Sequence, residues 1–256
     1  MKILLIAGHG GTPYDSGAVG NGYTEAVETR RMANAVAPLL RQYGFDVSIY
    51  DQSQDAYKVV TQGGSLPLSG VSYVMEFHLN AAANDYGGNG RTTGTEIFIH
   101  TNEKGDSVEQ AILKRVCALG FTNRGVKRSS GLAVLKHVYK RGISHALIET
   151  CFIDDKDDMT LYGNKFNQIA QAIASGVAEG FGKEEPDLTE SEIRAIARDE
   201  INKAKAEVAA LKASKWHASD WDAAKEAGLL DGTRPRSPLT REEFSTVLQR
   251  CGLIGK

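Results

Sequence analysis

Long apolar runs are missing from the beginning of this 256-residue chain, where the longest, Ile3 to Ala7, is too short for a signal-peptide core or a bilayer span. The chain is therefore expected to be made in the cytoplasm without a signal peptide and to insert into no membrane. Cysteine is scarce as well: Cys117, Cys151 and Cys251 are odd in number, far apart and without C-x-x-C spacing. That excludes a cysteine-only zinc site and predicts free, buried thiols. Neither sign of charge dominates, with 30 Lys+Arg against 32 Asp+Glu and a formal net charge of -2. No global basic field then points to nucleic acid or anionic lipid, and local sites must carry the function. A phosphate-cradling loop is also lacking: no G-K-[ST] occurs, and Pro13 takes the third-glycine position of G-x-G-x-x-G counted from Gly8.

What is present is an alternation of strand and helix patterns from residue 1 to about 182. "KILLIAG" is a continuous apolar run, and a helical stretch from about Glu25 to Tyr43 stops at Gly44, a residue suited to the left-handed turn that ends helices. "FDVSIYD", "VSYVMEFHL", "TGTEIFIH" and "SHALIETCF" read as further strands. Helices are expected from about Ser107 to Leu119, opened by a Ser107–Gln110 capping box, and from about Lys165 to Phe181. The fold class is α/β, with a twisted, mostly parallel sheet flanked by helices.

"GKEEPDL" at 182 to 188 breaks the pattern with Gly, Pro and charge, so the catalytic-sized unit is placed at 1–182 and a linker with an amphipathic helix at 183–215. In that helix Ala197, Ile201, Ala204, Val208 and Leu211 form one stripe, which either packs on a neighbouring domain or starts a short coiled coil. Residues 216–256 read as a small all-α unit: Ser219 caps a helix carrying Trp221 and Ala224, and Thr240 with Glu243 boxes a second one carrying Phe244 and Leu248. So small a unit rarely folds alone, which suggests docking or self-association.

Chemistry concentrates where strand-to-helix loops converge, beyond the carboxyl ends of the strands. His9 follows the first strand, His78 ends "YVMEF", and Glu149 ends "HALIE". Glu25 joins them if the Gly-rich loop "GHGGTPYDSGAVGNGY" folds back towards His9. Two histidines and a carboxylate form a zinc set that leaves a coordination position open, as catalytic sites do. Glu149, not a ligand, would then accept a proton from water and pass it to a leaving amine, giving metal-assisted hydrolysis. Each residue alone has a blander reading, a hydrogen-bonded histidine at a strand end or a first-turn glutamate. Ligands spread over separate segments also have no local signature of the H-E-x-x-H kind. Glu149 is less ordinary, because a carboxylate after Ala146, Leu147 and Ile148 must be paired or face a cavity.

Taken in order, "IAGHGG...DSGAVGNGYTE", "VMEFHLNAA", "RTTGTEIFI", "RGVKRSSGLAVLKH" and "ALIETCFIDDKDD" resemble the zinc-dependent N-acetylmuramoyl-L-alanine amidases often called amidase type 3. The resemblance covers residues 1 to about 182. It implies Zn2+ held by His9, Glu25 and His78, Glu149 as the catalytic glutamate, and cleavage of the amide between N-acetylmuramic acid and the L-alanine of the peptidoglycan stem peptide. "EFHLN" departs from the family pattern at Glu76, usually a small polar residue there, as do "ETCF" and Ser144-His145, which bears on fine specificity. His145 and Cys151 read as packing residues, and His100, His137 and His217 as surface or hydrogen-bonded ones. The loop "AAANDYGGNGRTTG" either lines the substrate groove or is an ordinary exposed loop.

The C-terminal "WDAAKEAGLLDGTRPRSPLTREEFSTVLQR" looks like a single S-layer-homology-type module, which implies wall targeting through a secondary cell-wall polymer, with dimerisation and docking as alternatives. A chain of this kind without a signal peptide is expected to act on the cell wall after release from a host cytoplasm, as a phage endolysin lysing a Gram-positive host. The alternatives are a host autolysin of sporulation with the same chemistry, a non-catalytic wall-binding protein, and a cysteine hydrolase built on Cys151.

Overall fold

The computed structural model describes residues 1–11, 15–184, 218–227 and 241–250. The chain divides into two compact units, Met1–Pro186 and Asp187–Lys256. The first is a six-stranded sheet with helices on both faces. Its elements run β1 (Lys2–Ala7), β2 (Val19–Gly20), β3 (Tyr23–Thr24), α1 (Glu25–Gln42), β4 (Asp46–Ile49), α2 (Ala56–Thr61) and β5 (Val71–Asn80). They continue with β6 (Thr95–His100), α3 (Ser107–Cys117), β7 (Asn123–Ser129), α4 (Ala133–Tyr139), β8 (Ser144–Phe152) and α5 (Lys156–Gly180).

The main sheet has the order β4-β1-β5-β8-β6-β7. All its pairings are parallel except β6 against β8. The chain leaves β1 for β4 on one side and returns as β5 on the other, so β1 and β5 flank the point where the winding reverses. Side chains at the carboxyl ends of such a strand pair diverge around a crevice, where ligands of α/β sheets bind. One sheet face, with Ile3, Leu5, Tyr73, Met75, Phe77 and Ile97, packs under α1, α3 and α5 in the larger core. The other face, with Leu4, Ile6 and Val74, packs with Ala56 of α2 and with Val134 and Val138 of α4.

Three local expectations change. The helix at 107 takes Asp106 as its N-cap and makes no side-chain cap bond, so the Ser107–Gln110 box does not form. Instead the Gln110 amide donates to the Asp106 carbonyl at 2.9 Å. The helix expected from about 165 starts nine residues earlier, at Lys156, and its backbone leaves the helical region at Lys165 (φ -120°, ψ 20°). Asp155 is the cap that starts it, accepting from the amides of Asp157 and Asp158. The short α2, β7 and α4 were not anticipated.

In the second unit, α6 spans Ala218–Glu226 and α7 spans Arg241–Arg250. Phe244 of α7 is half exposed. The stripe from Ala197 to Leu211, Trp216, His217, Thr240 and Cys251 lie outside the described residues. Among the described residues no helix is long and apolar enough to cross a membrane, and Cys117 and Cys151 are free thiols.

Candidate metal and catalytic site

His9 sits just past β1 in the left-handed region (φ 66°), a conformation that costs a non-glycine residue energy and turns its ring off the strand direction. The following loop folds back through the short β2–β3 hairpin, whose turn is Asn21-Gly22 with φ values of 49° and 83°. Two successive positive φ angles are what a tight type I′ hairpin demands, and Asn-Gly supplies them at least cost. The hairpin delivers Glu25 as the first residue of α1, where the helix N-terminus favours a carboxylate.

At that point Glu25 Oε1 lies 3.0 Å from His9 Nε2 and 3.0 Å from His78 Nδ1. The Leu79 amide donates to the same oxygen at 3.0 Å, and the Ala18 amide donates to Oε2 at 2.9 Å. The two imidazoles stand edge to face, with ring centroids 5.0 Å apart. Glycine makes this closeness feasible: a Cβ on Gly8 would come within 2.3 Å of the His78 ring, and one on Gly17 within 2.6 Å of both Glu25 Oε2 and His9 Cδ2.

Each imidazole also places its far nitrogen on a second carboxylate. His9 Nδ1 is 3.0 Å from Asp15 Oδ2, and His78 Nε2 is 3.3 Å from Glu76 Oε1. Asp15 and Glu76 were not singled out as site residues from the sequence. The signal for Glu76 was nevertheless there, because residues two apart in a strand share a face, and Glu76 and His78 bracket Phe77, which points into the core.

Electrostatics follow from this crowding. Burial by itself would raise the Glu25 carboxyl, but His78 and His9 outweigh it and hold Glu25 far below the usual carboxylate range. Burial would lower both imidazoles; Glu25 with Asp15 raises His9, and Glu25 with Glu76 raises His78 well above its ordinary value. Glu76, buried yet flanked by His145 and His78, is held at about 2. With both imidazoles neutral, the form that binds metal, Glu25 presents a carboxylate at the shared point while Asp15 and Glu76 stand behind the two rings. The donor atoms of His9, Glu25 and His78 lie within 4.8 Å of one another. Two imidazole nitrogens, one carboxylate oxygen and carboxylates behind both rings are a donor set that fits a divalent zinc-type ion with an open position.

Glu149 lies on β8 directly opposite His78 on β5 and opposite Glu96 on β6. Its Oε2 is shut off from solvent and has no hydrogen-bond partner among the described residues. Burial pushes its carboxyl up to about 7; His78 opposes the rise, while Glu25, Glu96 and Glu76 add to it. A carboxyl group poised there can exchange a proton near neutral pH. Glu96 is itself buried and bonded to Asn80 and Arg124.

Beside the cluster, on the α2 and α4 side of the sheet, opens a cavity of about 320 Å³ lined by His9, His78, Glu76, Tyr57, Leu132 and Leu147 among others. The loop 81–94 is fastened by the acidic run after β8. Asp154 accepts from the amides of Ala82, Ala83 and Asn84, Asp155 from Thr93, Asp157 from Asn89 and Gly90, and Asp158 from Gly94. "DDKDD" is thus a clamp on the loop beside His78.

The remaining residues are accounted for by packing. Cys151 is buried, its thiol 3.7 Å from Met159 Sδ, and burial drives its pKa well above the usual thiol value, so it is no activated nucleophile. His100 is buried and stacked on Tyr139 with centroids 3.8 Å apart. His145 is buried beside Glu76, a polar contact that packing alone did not suggest.

Over residues 3–179 the chain matches the family described as N-acetylmuramoyl-L-alanine amidase. No curated protein matches it. Among solved structures, the catalytic domain of CD27L endolysin targeting Clostridia difficile is 25% identical, with a TM-score of 0.54 over 70% of this chain and 97% of that one. Cwp6 from Clostridium difficile is 26% identical, with a TM-score of 0.57 over 70% of this chain and 29% of that one. The catalytic domain of CwlV, an N-acetylmuramoyl-L-alanine amidase from Bacillus (Paenibacillus) polymyxa var. colistinus, is 24% identical, with a TM-score of 0.56 over 72% of this chain and 100% of that one. At that identity the last likeness bears on the fold, a mostly parallel sheet flanked by helices.

Proposed function

The chain belongs to the N-acetylmuramoyl-L-alanine amidase family, and from that premise we propose that it hydrolyses the amide between N-acetylmuramic acid and L-alanine with Zn2+ held by His9, Glu25 and His78 and with Glu149 as general base and acid. The observation that carries the reading is the meeting of His9 Nε2 and His78 Nδ1 on one Glu25 oxygen, with Glu149 across the β5–β8 ladder from His78. The chemistry zinc supplies at a site of this donor set is Lewis acidity, which polarises a carbonyl and brings the pKa of water from 15.7 to about 7.

The protein's own groups do the rest. Asp15 and Glu76 hold the two rings by their far nitrogens, so that the near lone pairs face the shared point. Glu149 takes a proton from the attacking water as the new C–O bond forms. It then returns the proton to the alanine nitrogen as the C–N bond breaks, so that a lactyl carboxyl and a free amine leave. The 320 Å³ cavity beside the cluster gives the substrate a walled approach.

Purified protein incubated with Gram-positive peptidoglycan should release free N-terminal L-alanine, while Glu149→Gln keeps its metal and releases almost none. New reducing sugar ends instead of amines, or full activity in Glu149→Gln, would refute the assignment. The biological role we favour is that of a phage endolysin lysing a Gram-positive host, supported by the likeness to an endolysin catalytic domain. Under this reading residues 216–256 bind a secondary cell-wall polymer or pair two copies. A holin gene beside the coding sequence is the expected finding, and sporulation-timed expression would favour a host autolysin instead.

A further inference from the structure

Beneath the site lies a buried ionisable pair of which the proposed chemistry employs Glu76 and leaves His145 without a task. Glu76 is 3% and His145 2% exposed, and Glu76 Oε2 lies 3.3 Å from His145 Nε2. The two atoms are close but not in line for a hydrogen bond, and neither ring nitrogen of His145 has another partner among the described residues. Burying a carboxylate and an imidazole for packing alone is a poor use of the position, because an apolar pair of similar volume would cost no desolvation. Their register partners are apolar: His145 pairs with Val74, and Glu76 with Ile6 on β1 and Leu147 on β8.

What distinguishes Glu76 is that its carboxylate faces two imidazoles at once. Oε1 reaches His78 Nε2 at 3.3 Å, and Oε2 faces His145. We propose that the buried Glu76–His145 pair is a positioning device for the metal site, in which His145 holds the Glu76 carboxylate and Glu76 fixes the ring of His78 with Nδ1 directed at the shared point. The inference rests on His78 being a metal ligand, as proposed above. Geometry gives the device its reason. The ring of His78 is confined on one side by Gly8, where there is room for no Cβ, and its near nitrogen must face the same point as His9 Nε2. An acceptor at Nε2 opposes rotation of the ring about Cβ–Cγ, and it selects the tautomer with the proton on the far nitrogen. In this arrangement Glu76 acts on the metal site through the ring of His78, so it is a positioning residue, and His145 acts through it.

The test is the metal affinity of the full chain, measured by competition with a chromophoric chelator and, after substitution with Co2+, by its visible absorption. Glu76→Leu should bind metal about 10- to 100-fold more weakly than the parent. Glu76→Gln, which keeps an acceptor for Nε2, should recover part of that loss. His145→Leu should weaken binding less than Glu76→Leu and cause no further loss when the two are combined. Unchanged affinity in Glu76→Leu, or an independent additional loss from His145→Leu in the double variant, overturns the proposal. Should Glu76→Leu fail to fold, the parent still decides: in the metal-loaded protein the His78 Nε2–H proton should be shifted downfield and protected from exchange, and solvent-rate exchange overturns the inference. A parent that holds no metal overturns the site and this inference with it. Metal held as tightly without Glu76 overturns this inference alone and leaves the amidase reading standing.

Discussion

Replacing Gly8 by alanine tests the architecture of the site with a single methyl group. The new Cβ would stand 2.3 Å from Cε1, 2.5 Å from Nε2 and 2.7 Å from Nδ1 of His78. Relief comes only if the ring or the β1–β5 crevice gives way, and to regain ordinary contact the ring must retreat by roughly 1 Å. The crevice resists, since the Gly8 amide donates to the Phe77 carbonyl at 3.0 Å and Thr29 Oγ1 donates to the Gly8 carbonyl at 2.9 Å. Metal-ligand distances tolerate only about 0.2 Å, so a displaced His78 is lost as a ligand or binds poorly. A misplacement of about 1 Å at a reacting centre costs on the order of 100-fold in rate, or about 2.7 kcal/mol of transition-state stabilisation. The assay is release of alanine amines from peptidoglycan alongside metal content. Gly105→Ala serves as the control, because nothing lies within 4 Å of its added Cβ and its φ is not positive. Gly8→Ala with parental metal content and activity would show that His78 does not occupy the place described here.

Other perturbations should be equally readable. Glu149→Gln should lower the rate by about 10²- to 10⁴-fold, as the loss of a general base does. The same change should raise the melting point of the metal-free protein above pH 7: a carboxyl whose folded pKa is raised to about 7 contributes stability below its unfolded value, and that contribution is lost as pH rises through 7. Discounted for partial exposure, the gain is about 1–2 kcal/mol, and a lower melting point at pH 8 would contradict it. Glu96→Gln removes a neighbour that holds Glu149 up, so the acid limb of the pH–rate profile should move to lower pH; a limb that stays put would assign it to another group. Asp155→Ala removes the cap of α5 and the anchor of Thr93, so urea unfolding should show a loss of about 2–3 kcal/mol, with faster amide exchange at Thr93, Asp157 and Asp158.

The fold is most legible in the sequence where one period dominates. Continuous apolar runs and the helical spacing from about Glu25 to Tyr43 foretell the central strands and α1, and the placement of His9, His78 and Glu149 at strand ends follows from the same pattern. The elements that the sequence does not show are short or weakly patterned, the two-residue β2 and β3 among them. β7 is an edge strand of the sequence NRGVKRS with no buried residue, so it carries no alternation. α2 and α4, of six and seven residues, are too short for a helical period to stand out. The start of α5 was hidden because its cap, Asp155, lies within an acidic run in which every aspartate is bonded across space to the loop 81–94, and such bonds leave no trace in local spacing. Asp15 and Glu76 were not identified for a related reason. Their partners are imidazoles brought near by the chain's return, and Glu76 reads locally as a charge misplaced in a strand.

Under the proposed function, the point shared by His9, Glu25 and His78 binds the metal on which amide hydrolysis depends. Stripping the purified full chain with a chelator, removing the chelator and titrating Zn2+ back while following free L-alanine termini tests that claim most directly. The stripped protein should release none, and recovery should saturate at about one zinc per chain, with His78→Ala failing to recover at the same zinc concentrations. Full release from the stripped protein, or recovery unaffected in His78→Ala, would contradict it.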